Sequence, residues 1–203
     1  MAKFTRGFTG RARAPRDAAL PPGQYDTGTQ WPVLTAEATP TIALDSWTFS
    51  ISGLVDRPMS WTWDEIHALT PSEYVGPIHC VTTWSKFGML WGGVSIDTLF
   101  DIARPQATAT HVLAVSQTGY TTNLPLADVT DNKAWVAWEV DGEPLARDHG
   151  GPARLLVPHL YFWKSAKWIA ELRVLDHDER GFWEQNGYHD RGDPWLEQRY
   201  HGD

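Results

Sequence analysis

The sequence predicts a single α+β domain that is built from mixed β-sheets with a few short helices. Three observations support this fold class. Several short runs alternate with a period of two, which is typical of strands. Helix signals are confined to short segments. No internal repeat or low-complexity tract divides the 203 residues, and a chain of this length can form one substantial core.

The strand predictions depend on alternation and on the turn residues between the runs. The clearest run covers residues 47–55 and ends before the turn at Pro58. A β-prone segment at 81–84 follows Cys80, and Asp141-Gly142 is a hairpin signal. The remaining predicted strands are 111–116, 135–140, 155–158 and 168–175, with an extended run after the turn in 117–126.

Two short helices are predicted between these strands. The first covers residues 60–69, because Thr62 and Glu65 have the spacing of a capping box and Pro71 would end the helix. The second covers residues 95–103. The helices are too few and too short for a helical bundle, so strands are expected to form most of the core.

The two ends of the chain differ from its middle. Residues 1–20 are basic and rich in Gly, Pro and Ala, and we expect them to form a flexible arm. Residues 21–203 form the predicted domain. Its last part, 176–203, is polar but carries several aromatic side chains, so we expect a tail that packs onto the body of the domain.

Charge and hydropathy argue against several classes of protein. The formal net charge of −8 argues against nucleic-acid binding. No run approaches the roughly 18 apolar residues that a membrane span needs. The basic N-terminus is not followed by an apolar stretch, so no secretory signal is expected and a cytoplasmic location is predicted.

Cys80 is the only cysteine of the sequence, and the motifs described below lie on both sides of it. It precedes the β-prone run and the glycine-containing segments 86–88 and 91–93, which we expect to be flexible. A single thiol forms no internal disulfide. It can be an inert buried side chain, a nucleophile, or one thiolate ligand of a metal. From the residues alone the buried structural reading is favoured, since free cysteines are often buried.

Two specific chemistries for Cys80 find little support in the residue spacing. The eight histidines offer no His-Glu-x-x-His motif and no short paired spacing with Cys80, so a zinc site made by the protein alone is not expected. A cysteine hydrolase would need a histidine from a distant position, and no helix start directly follows the thiol. The hydrolase remains an open alternative.

A cluster of cations follows in the second half of the chain. His149 and Arg154 bracket the loop Gly150-Gly151-Pro152, and Lys164 and Lys167 come shortly after. Glycines allow close approach of the backbone to a ligand, while arginine and lysine bind anionic groups. The cluster therefore indicates either an anionic ligand or ion pairs with the 25 acidic residues, and the residues alone do not decide.

Taken in order, these motifs resemble the sulfite-oxidase-like molybdopterin-binding domain family. The resemblance runs from about residue 21 to 176 and favours the bacterial sulfoxide-reductase branch. The matching segments are Pro21-Pro22-Gly23-Gln24, the strand into Gly53, 79–85 (His-Cys-Val-Thr-Thr-Trp-Ser), Trp91-Gly92-Gly93-Val94, 119–126, Asp141-Gly142-Glu143-Pro144-Leu145, 148–158 and Lys164-Ser165-Ala166-Lys167-Trp168.

The resemblance implies a fold of the sulfite-oxidase type, a molybdenum-molybdopterin cofactor and a role for each matching residue. Cys80 would be the molybdenum ligand, with further sulfur ligands supplied by the pterin. Tyr120 would be the active-site tyrosine, which can exchange a hydrogen bond during the reaction. The expected cofactor-binding residues are His149, Arg154, Ser165, Ala166, Lys167, Ser116 and Trp31.

The resemblance also implies an activity. The expected enzyme is an oxidoreductase that moves an oxygen atom to or from a small-molecule substrate, with electrons from a separate partner such as a haem or flavin protein. Sulfite oxidases carry an arginine shortly after the ligand cysteine, whereas residues 81–85 here contain none, which favours reduction of S-oxides or N-oxides. The alternatives are a sulfite-type oxidase and a cofactor-binding protein without turnover.

Overall fold

The computed structural model describes residues 20–203 and contains two mixed β-sheets with short helices. The expected α+β fold class is confirmed. The expected arm, 1–20, lies outside the described residues except for Leu20. The strands are, in chain order, β1 (Tyr25–Asp26), β2 (Thr48–Gly53), β3 (Met59–Thr62), β4 (Ser72–His79), β5 (Trp84–Ser95), β6 (His111–Ser116), β7 (Thr121–Pro125), β8 (Trp135–Val140), β9 (Glu143–Pro144), β10 (Arg154–Leu156) and β11 (Ile169–Leu175).

The first sheet carries the segment around Cys80. Its strand order is β1-β5-β8-β10, with β4 paired to β5 and β9 paired to β8. The β1–β5 pair is parallel, and the other pairs in this sheet are antiparallel. The long hairpin of β4 and β5 places Cys80 at its tip, between His79 and Trp84.

The second sheet forms the opposite side of the core. Its order is β3-β2-β11-β6-β7, in which only the β2–β11 pair is parallel. Its central strands contribute fully buried side chains such as Phe49, Ile51 and Leu172. A separate smaller cluster packs around Cys80 and includes Trp84 and Trp91. The thiol therefore lies beside the first sheet rather than in the main core.

The α-helices of the described residues are α1 (Trp63–His67) and α2 (Ile96–Ala103), which lie between strands, and α3 (Phe182–Gln185), which follows β11. Short 3-10 helices cover Leu126–Asp128, Arg147–His149, Phe162–Lys164 and Pro194–Leu196. The predicted capping box is present, because the Thr62 hydroxyl accepts from the Glu65 amide and the Glu65 carboxylate accepts from the Thr62 amide. Within residues 20–203, no helix is long and apolar enough to cross a membrane.

Three local predictions were wrong. The first helix begins at Trp63 rather than residue 60, because the preceding residues pair with β2 and bury Trp61. Residues 81–83 of the β-prone run form a turn, in which the Thr83 amide donates to the Cys80 carbonyl, and only Trp84 of that run belongs to a strand, β5. The segments 86–88 and 91–93 are not flexible loops but parts of the 12-residue strand β5. Gly93 is required there, because a side chain would collide with the backbone of Val136.

Candidate active site

A cavity of about 320 Å³ lies where the tip of the β4–β5 hairpin meets the loops that follow β6 and precede β11. The structure brings all of the sequence-predicted site residues to this one cavity. These predicted residues, all of which are part of its lining, are Trp31, Cys80, Ser116, Tyr120, His149, Arg154, Ser165, Ala166 and Lys167.

The turn that follows Cys80 fixes the direction of its thiol. The Cys80 amide donates to the Trp84 carbonyl over 2.8 Å, and the Thr83 amide donates to the Cys80 carbonyl over 3.1 Å. Thr83 has a φ of 76°, a left-handed conformation that costs a β-branched residue energy. The tight turn aims the Cys80 side chain at the cavity, with 8% of the residue exposed.

Gln24 supports this turn from the side away from the cavity. Its amide nitrogen donates to the Cys80 carbonyl over 3.0 Å, and its amide oxygen accepts from the Ser85 hydroxyl over 3.3 Å. The same hydroxyl lies 2.7 Å from Nδ1 of His79. Gln24, Ser85 and His79 therefore form a buried polar network that positions the residues on both sides of the thiol.

The surroundings of Cys80 suit a metal ligand better than a free nucleophile. Burial raises the pKa of the thiol, while a hydrogen bond with Thr82 and the charge of Arg199 oppose this rise. The hydrogen-bonding partner of the sulfur is the Thr82 hydroxyl at 3.2 Å rather than a histidine. A buried thiol without an activating base is a poor nucleophile, whereas a bound metal displaces the thiol proton outright.

Arg154 is a buried cation whose charge is not neutralised by a carboxylate. It is 1% exposed, and its guanidinium donates to the carbonyls of His149 at 2.7 Å and Ser165 at 2.6 Å. Among residues 20–203, no carboxylate lies within ion-pair distance of it. Burial lowers the pKa of Arg154 to about 9. A buried, uncompensated guanidinium is favourable only where an anion binds.

Lys167 and His149 extend this cationic side of the cavity. The Lys167 ammonium donates to the carbonyls of Leu34 at 2.8 Å and Asp148 at 2.6 Å, and burial lowers its pKa to about 8. His149 stacks on Trp31 with ring centroids 3.6 Å apart. Burial also lowers the pKa of His149 to about 4, so the imidazole is neutral at pH 7. The stacked pair offers flat aromatic surface beside the two cations.

Tyr120 presents a protonated phenol to the cavity. Its hydroxyl donates to the Trp163 carbonyl over 2.7 Å. Burial raises the pKa of Tyr120 well above 10, and the charge of Glu184 raises it further. The phenol proton is already donated, so the oxygen keeps capacity to accept a hydrogen bond from a ligand.

The two predicted serines contact the chain rather than open space. Ser116 donates its hydroxyl proton to the Lys167 carbonyl, and the Ser165 hydroxyl accepts from the Val157 amide over 2.8 Å. Both hydroxyls therefore fix the loop that carries Lys167.

Lys164 does not belong to the cationic side of the cavity, although the sequence grouped it with Lys167. It is fully buried elsewhere, and its ammonium lies 2.6 Å from Oε1 of Glu184. The ammonium also donates to the backbone and side-chain oxygens of Asn123. Its charge is thus used inside the protein, and it is not available to a ligand.

Sequence reasoning missed several residues at or near the cavity. Trp183 and Tyr188 line it, although their segment had only been expected to pack as an aromatic tail. Gln24 lies in a matching motif to which no role had been given, and Arg199 had no local signal. Gln24 and Arg199 act through contacts that join residues far apart in the chain.

The residues present fit a metal held by a pterin cofactor with an anionic group. The cavity combines one soft sulfur ligand, a buried guanidinium without a counter-charge and a stacked aromatic pair. Soft thiolates suit metals that are also bound by sulfur, and arginine suits phosphate. The fold and the cavity together are those of a protein that can hold a metal-containing cofactor between its two sheets and loops.

Comparison with known proteins identifies the family. The family model for the oxidoreductase molybdopterin binding domain matches residues 36–183, so the chain belongs to that family. It is an enzyme of the oxidoreductase class, and its cofactor is molybdenum-molybdopterin. The resemblance that the motifs indicated is thereby confirmed.

Similar proteins fall into three groups. The uncharacterized oxidoreductase YuiH of Bacillus subtilis (strain 168) is 39% identical over 195 residues, which cover 95% of this chain and 98% of YuiH. The protein-methionine-sulfoxide reductase catalytic subunit MsrP of Gluconobacter oxydans (strain 621H) is 30% identical, over 68% of this chain and 49% of MsrP. The sulfite oxidase of Arabidopsis thaliana is 28% identical, over 71% of this chain and 46% of the oxidase.

The chain spans about half the length of the reductase and the oxidase that it matches. Among solved structures, the sulfane dehydrogenase SoxCD of Paracoccus pantotrophus aligns with a TM-score of 0.63 at 20% identity. That alignment covers 69% of this chain and 41% of the SoxCD chain. At this identity the likeness supports the shared fold alone.

Proposed function

We propose that this cavity binds molybdenum-molybdopterin through the Cys80 thiolate and that the enzyme transfers an oxygen atom from a small S-oxide or N-oxide. The observation that supports the proposal is that Cys80 and Arg154 both line one cavity of about 320 Å³ and that the buried Arg154 has no carboxylate partner among residues 20–203. When bound, the cofactor supplies the two-electron redox change that oxygen-atom transfer requires.

The protein residues divide between holding the cofactor and shaping the substrate site. Arg154 and Lys167 provide positive charge for an anionic group of the cofactor, and the stacked Trp31 and His149 provide flat surface for its rings. The Tyr120 hydroxyl donates to the Trp163 carbonyl and keeps its proton, because its pKa lies well above 10, so its oxygen can accept a hydrogen bond from a ligand in the cavity.

A neutral substrate is favoured over an anionic one by the wall beside Cys80. Val81 and Thr82 line the cavity directly after the thiol, and neither can pair with an anion. Trp183 and Tyr188 add aromatic surface. Such a wall suits a sulfoxide or an N-oxide, which is polar but uncharged overall, better than it suits sulfite. The name of the Gluconobacter relative, a sulfoxide reductase, agrees with this direction.

A separate protein is proposed as the electron donor. The relative MsrP is named a catalytic subunit, which implies at least one further subunit in that system. For this chain a haem or flavin protein is the proposed donor. The predicted cytoplasmic location is a further proposal, which fractionation of cells that express the native protein would test.

The proposal is tested by metal and cofactor analysis of protein from a host that makes the cofactor. We expect about one molybdenum and one pterin per chain, and loss of most of the metal in Cys80→Ser. Arg173→Gln, which changes a half-buried arginine on β11 that does not line the cavity, serves as a control and should retain the metal. Protein without molybdenum, or an unchanged metal content in Cys80→Ser, would contradict the proposal.

A substrate panel then tests the reaction. With a reduced dye as electron donor, we expect turnover of methionine sulfoxide, dimethyl sulfoxide or trimethylamine N-oxide. Sulfite with an oxidised dye tests the oxidase alternative. Sulfite oxidation without reduction of any S-oxide or N-oxide would reverse the proposed direction. A loaded protein that reacts with none of them would favour a cofactor-binding role without turnover.

A further inference from the structure

Arg199, near the end of the chain, contacts the turn that carries Cys80. One arm of its guanidinium donates to the Val81 carbonyl, and the other donates to the Pro22 carbonyl over 3.4 Å. One side chain therefore links the C-terminal segment, the Cys80 turn and the Pro21–Gln24 loop. Gly23 in this loop has a φ of 71°, and a Cβ there would lie 3.0 Å from the Glu197 carboxylate and 3.3 Å from the guanidinium, so a side chain would crowd this contact.

The position of Arg199 is fixed from several directions. Its backbone amide donates to the Asp203 carboxylate over 3.0 Å, and its carbonyl accepts from the His189 amide over 3.2 Å. The guanidinium lies 5.0 Å from the ring centroid of Tyr161. Because these contacts restrain both the backbone and the side chain of Arg199, its guanidinium is held against the Cys80 turn with little conformational freedom.

The charge of Arg199 is only weakly neutralised. The nearest carboxylate, that of Glu197, lies 3.8 Å away and is 52% exposed, whereas the Arg199 side chain is 14% exposed. Exposed carboxylates are well solvated and contribute little to such pairs. The lysine of the segment after Cys80, Lys86, donates to Gly28 near the surface. Arg199 is therefore the cation that contacts the Cys80 turn.

We propose that Arg199 is the positioning residue of the molybdenum ligand: it closes the Cys80 turn and places a positive charge beside the thiolate. This inference rests on the proposed role of Cys80 as the metal ligand. It assigns to the C-terminal segment, beyond the residues 36–183 that match the family model, a contribution to the metal site. The segment 81–85 contains no cation, and Arg199 contacts this segment through the Val81 carbonyl without lining the cavity.

Two consequences follow that can be measured separately. Loss of the two carbonyl contacts should let the turn open more often, and the Cys80 amide, which donates to Trp84, reports that opening. Loss of the positive charge should stabilise the oxidised, more positive metal relative to the reduced one, which lowers the midpoint potential. A residue with a purely structural role would change the first quantity without the second.

The test compares three variants. Arg199→Gln removes the charge and one contact, and Arg199→Lys keeps the charge but not the two-armed contact. Arg180→Gln is the matched control, because Arg180 has an exposed pair with Asp190 in the same part of the chain and does not touch the turn. Hydrogen exchange of the Cys80 segment is measured in cofactor-free protein, and the molybdenum potential is measured in loaded protein.

In Arg199→Gln we expect exchange of the Cys80 segment to rise by about tenfold, which corresponds to about 1.4 kcal/mol. We also expect a lower midpoint potential and faster loss of molybdenum on dialysis. Arg199→Lys should keep the wild-type potential and show a smaller rise in exchange. Arg180→Gln should match the wild type in all three measurements.

Wild-type exchange in Arg199→Gln would overturn the positioning role, and equal potentials in the Gln and Lys variants would overturn the role of the charge. If Arg199→Gln does not fold, Asp203→Ala replaces it, since it releases the backbone of Arg199 and should raise exchange in the same direction. Unchanged exchange there would also count against the proposal. Cys80→Ser distinguishes failure of the proposed ligand role of Cys80 from failure of the positioning role of Arg199. If Cys80→Ser keeps molybdenum, the proposed ligand is wrong. If Cys80→Ser loses molybdenum and Arg199→Gln behaves as wild type, only the role of Arg199 fails.

Discussion

Replacement of Arg154 by methionine removes a buried positive charge that, within residues 20–203, donates its hydrogen bonds to carbonyl oxygens and lies over the Phe162 ring. Burial holds the pKa of Arg154 at about 9 instead of 12.5. At about 1.4 kcal/mol per pKa unit, the charged form is disfavoured by roughly 5 kcal/mol in the absence of an anion. An anion in the cavity should recover part of this energy, because a hydrogen bond to a charged group contributes about 1.5–3 kcal/mol.

Inorganic phosphate is a simple probe for this effect in the cofactor-free protein. At a concentration about 100-fold above its dissociation constant, phosphate should stabilise the wild type by about 2.7 kcal/mol. For a chain of this size that corresponds to a rise in Tm of roughly 5–10 °C. Calorimetry at constant ionic strength, with chloride as the reference salt, measures the rise. Arg154→Met should lose most of it.

Two controls separate a specific site from the general stabilising action of phosphate. Arg173→Met removes a half-buried arginine that pairs with Glu171 and does not line the cavity, and it should keep the full rise in Tm. Lys167→Met removes the second cation of the cavity and should give an intermediate rise. If Arg154→Met gains as much from phosphate as the wild type does, the buried guanidinium is not the anion site and the reasoning is refuted.

Three further predictions concern other parts of the site. Glu184→Gln leaves Lys164 buried without its carboxylate and should cost about 3–5 kcal/mol in the free energy of unfolding, measured with urea; a cost below about 1 kcal/mol would contradict this. Tyr120→Phe should keep the molybdenum content but lower S-oxide turnover by roughly 100-fold, and unchanged turnover would exclude the phenol from the reaction. The pKa of His149, about 4, lies below the ordinary 6.5, so the unfolded chain binds the proton first and stability is lost as pH falls from 6.5 to 4. Urea unfolding at several pH values should show a shallower loss in His149→Asn, and equal slopes would contradict this assignment.

Local patterns predicted much of the fold. The strands β6 and β8 have the bounds that alternation indicated, and the capping box at Thr62 is present. These features depend on residues that are neighbours in the chain, so the sequence carries the whole signal. The predicted first helix included Ser60 and Trp61, because the residues that follow them favour a helix. In the structure these two residues pair with β2 instead. Tertiary pairing overrode the local preference there.

The candidate site was predictable only in part, and for a physical reason. The motif residues Cys80, Arg154 and Lys167 were found by type and order, and the structure places them around one cavity. The supports of the thiol were not found, because Gln24 bonds to a residue 56 positions away and Arg199 to one 118 positions away. No local pattern encodes such contacts. The turn at Cys80 was mistaken for a strand because β-branched residues fill it.

Lys164 and Lys167 show what the sequence leaves undecided about charge. They lie three residues apart in one loop, and composition treats them alike. The ammonium of Lys164 pairs with the carboxylate of Glu184, which neutralises its charge inside the protein. The ammonium of Lys167 instead donates to the carbonyl oxygens of Leu34 and Asp148. A carbonyl satisfies the hydrogen bonds of a cation but leaves its net charge in place. Arg154 likewise donates to carbonyl oxygens and keeps its charge. The cavity therefore has a positive potential although the chain has a net charge of −8, and this potential attracts an anionic ligand to the cavity rather than to the protein surface.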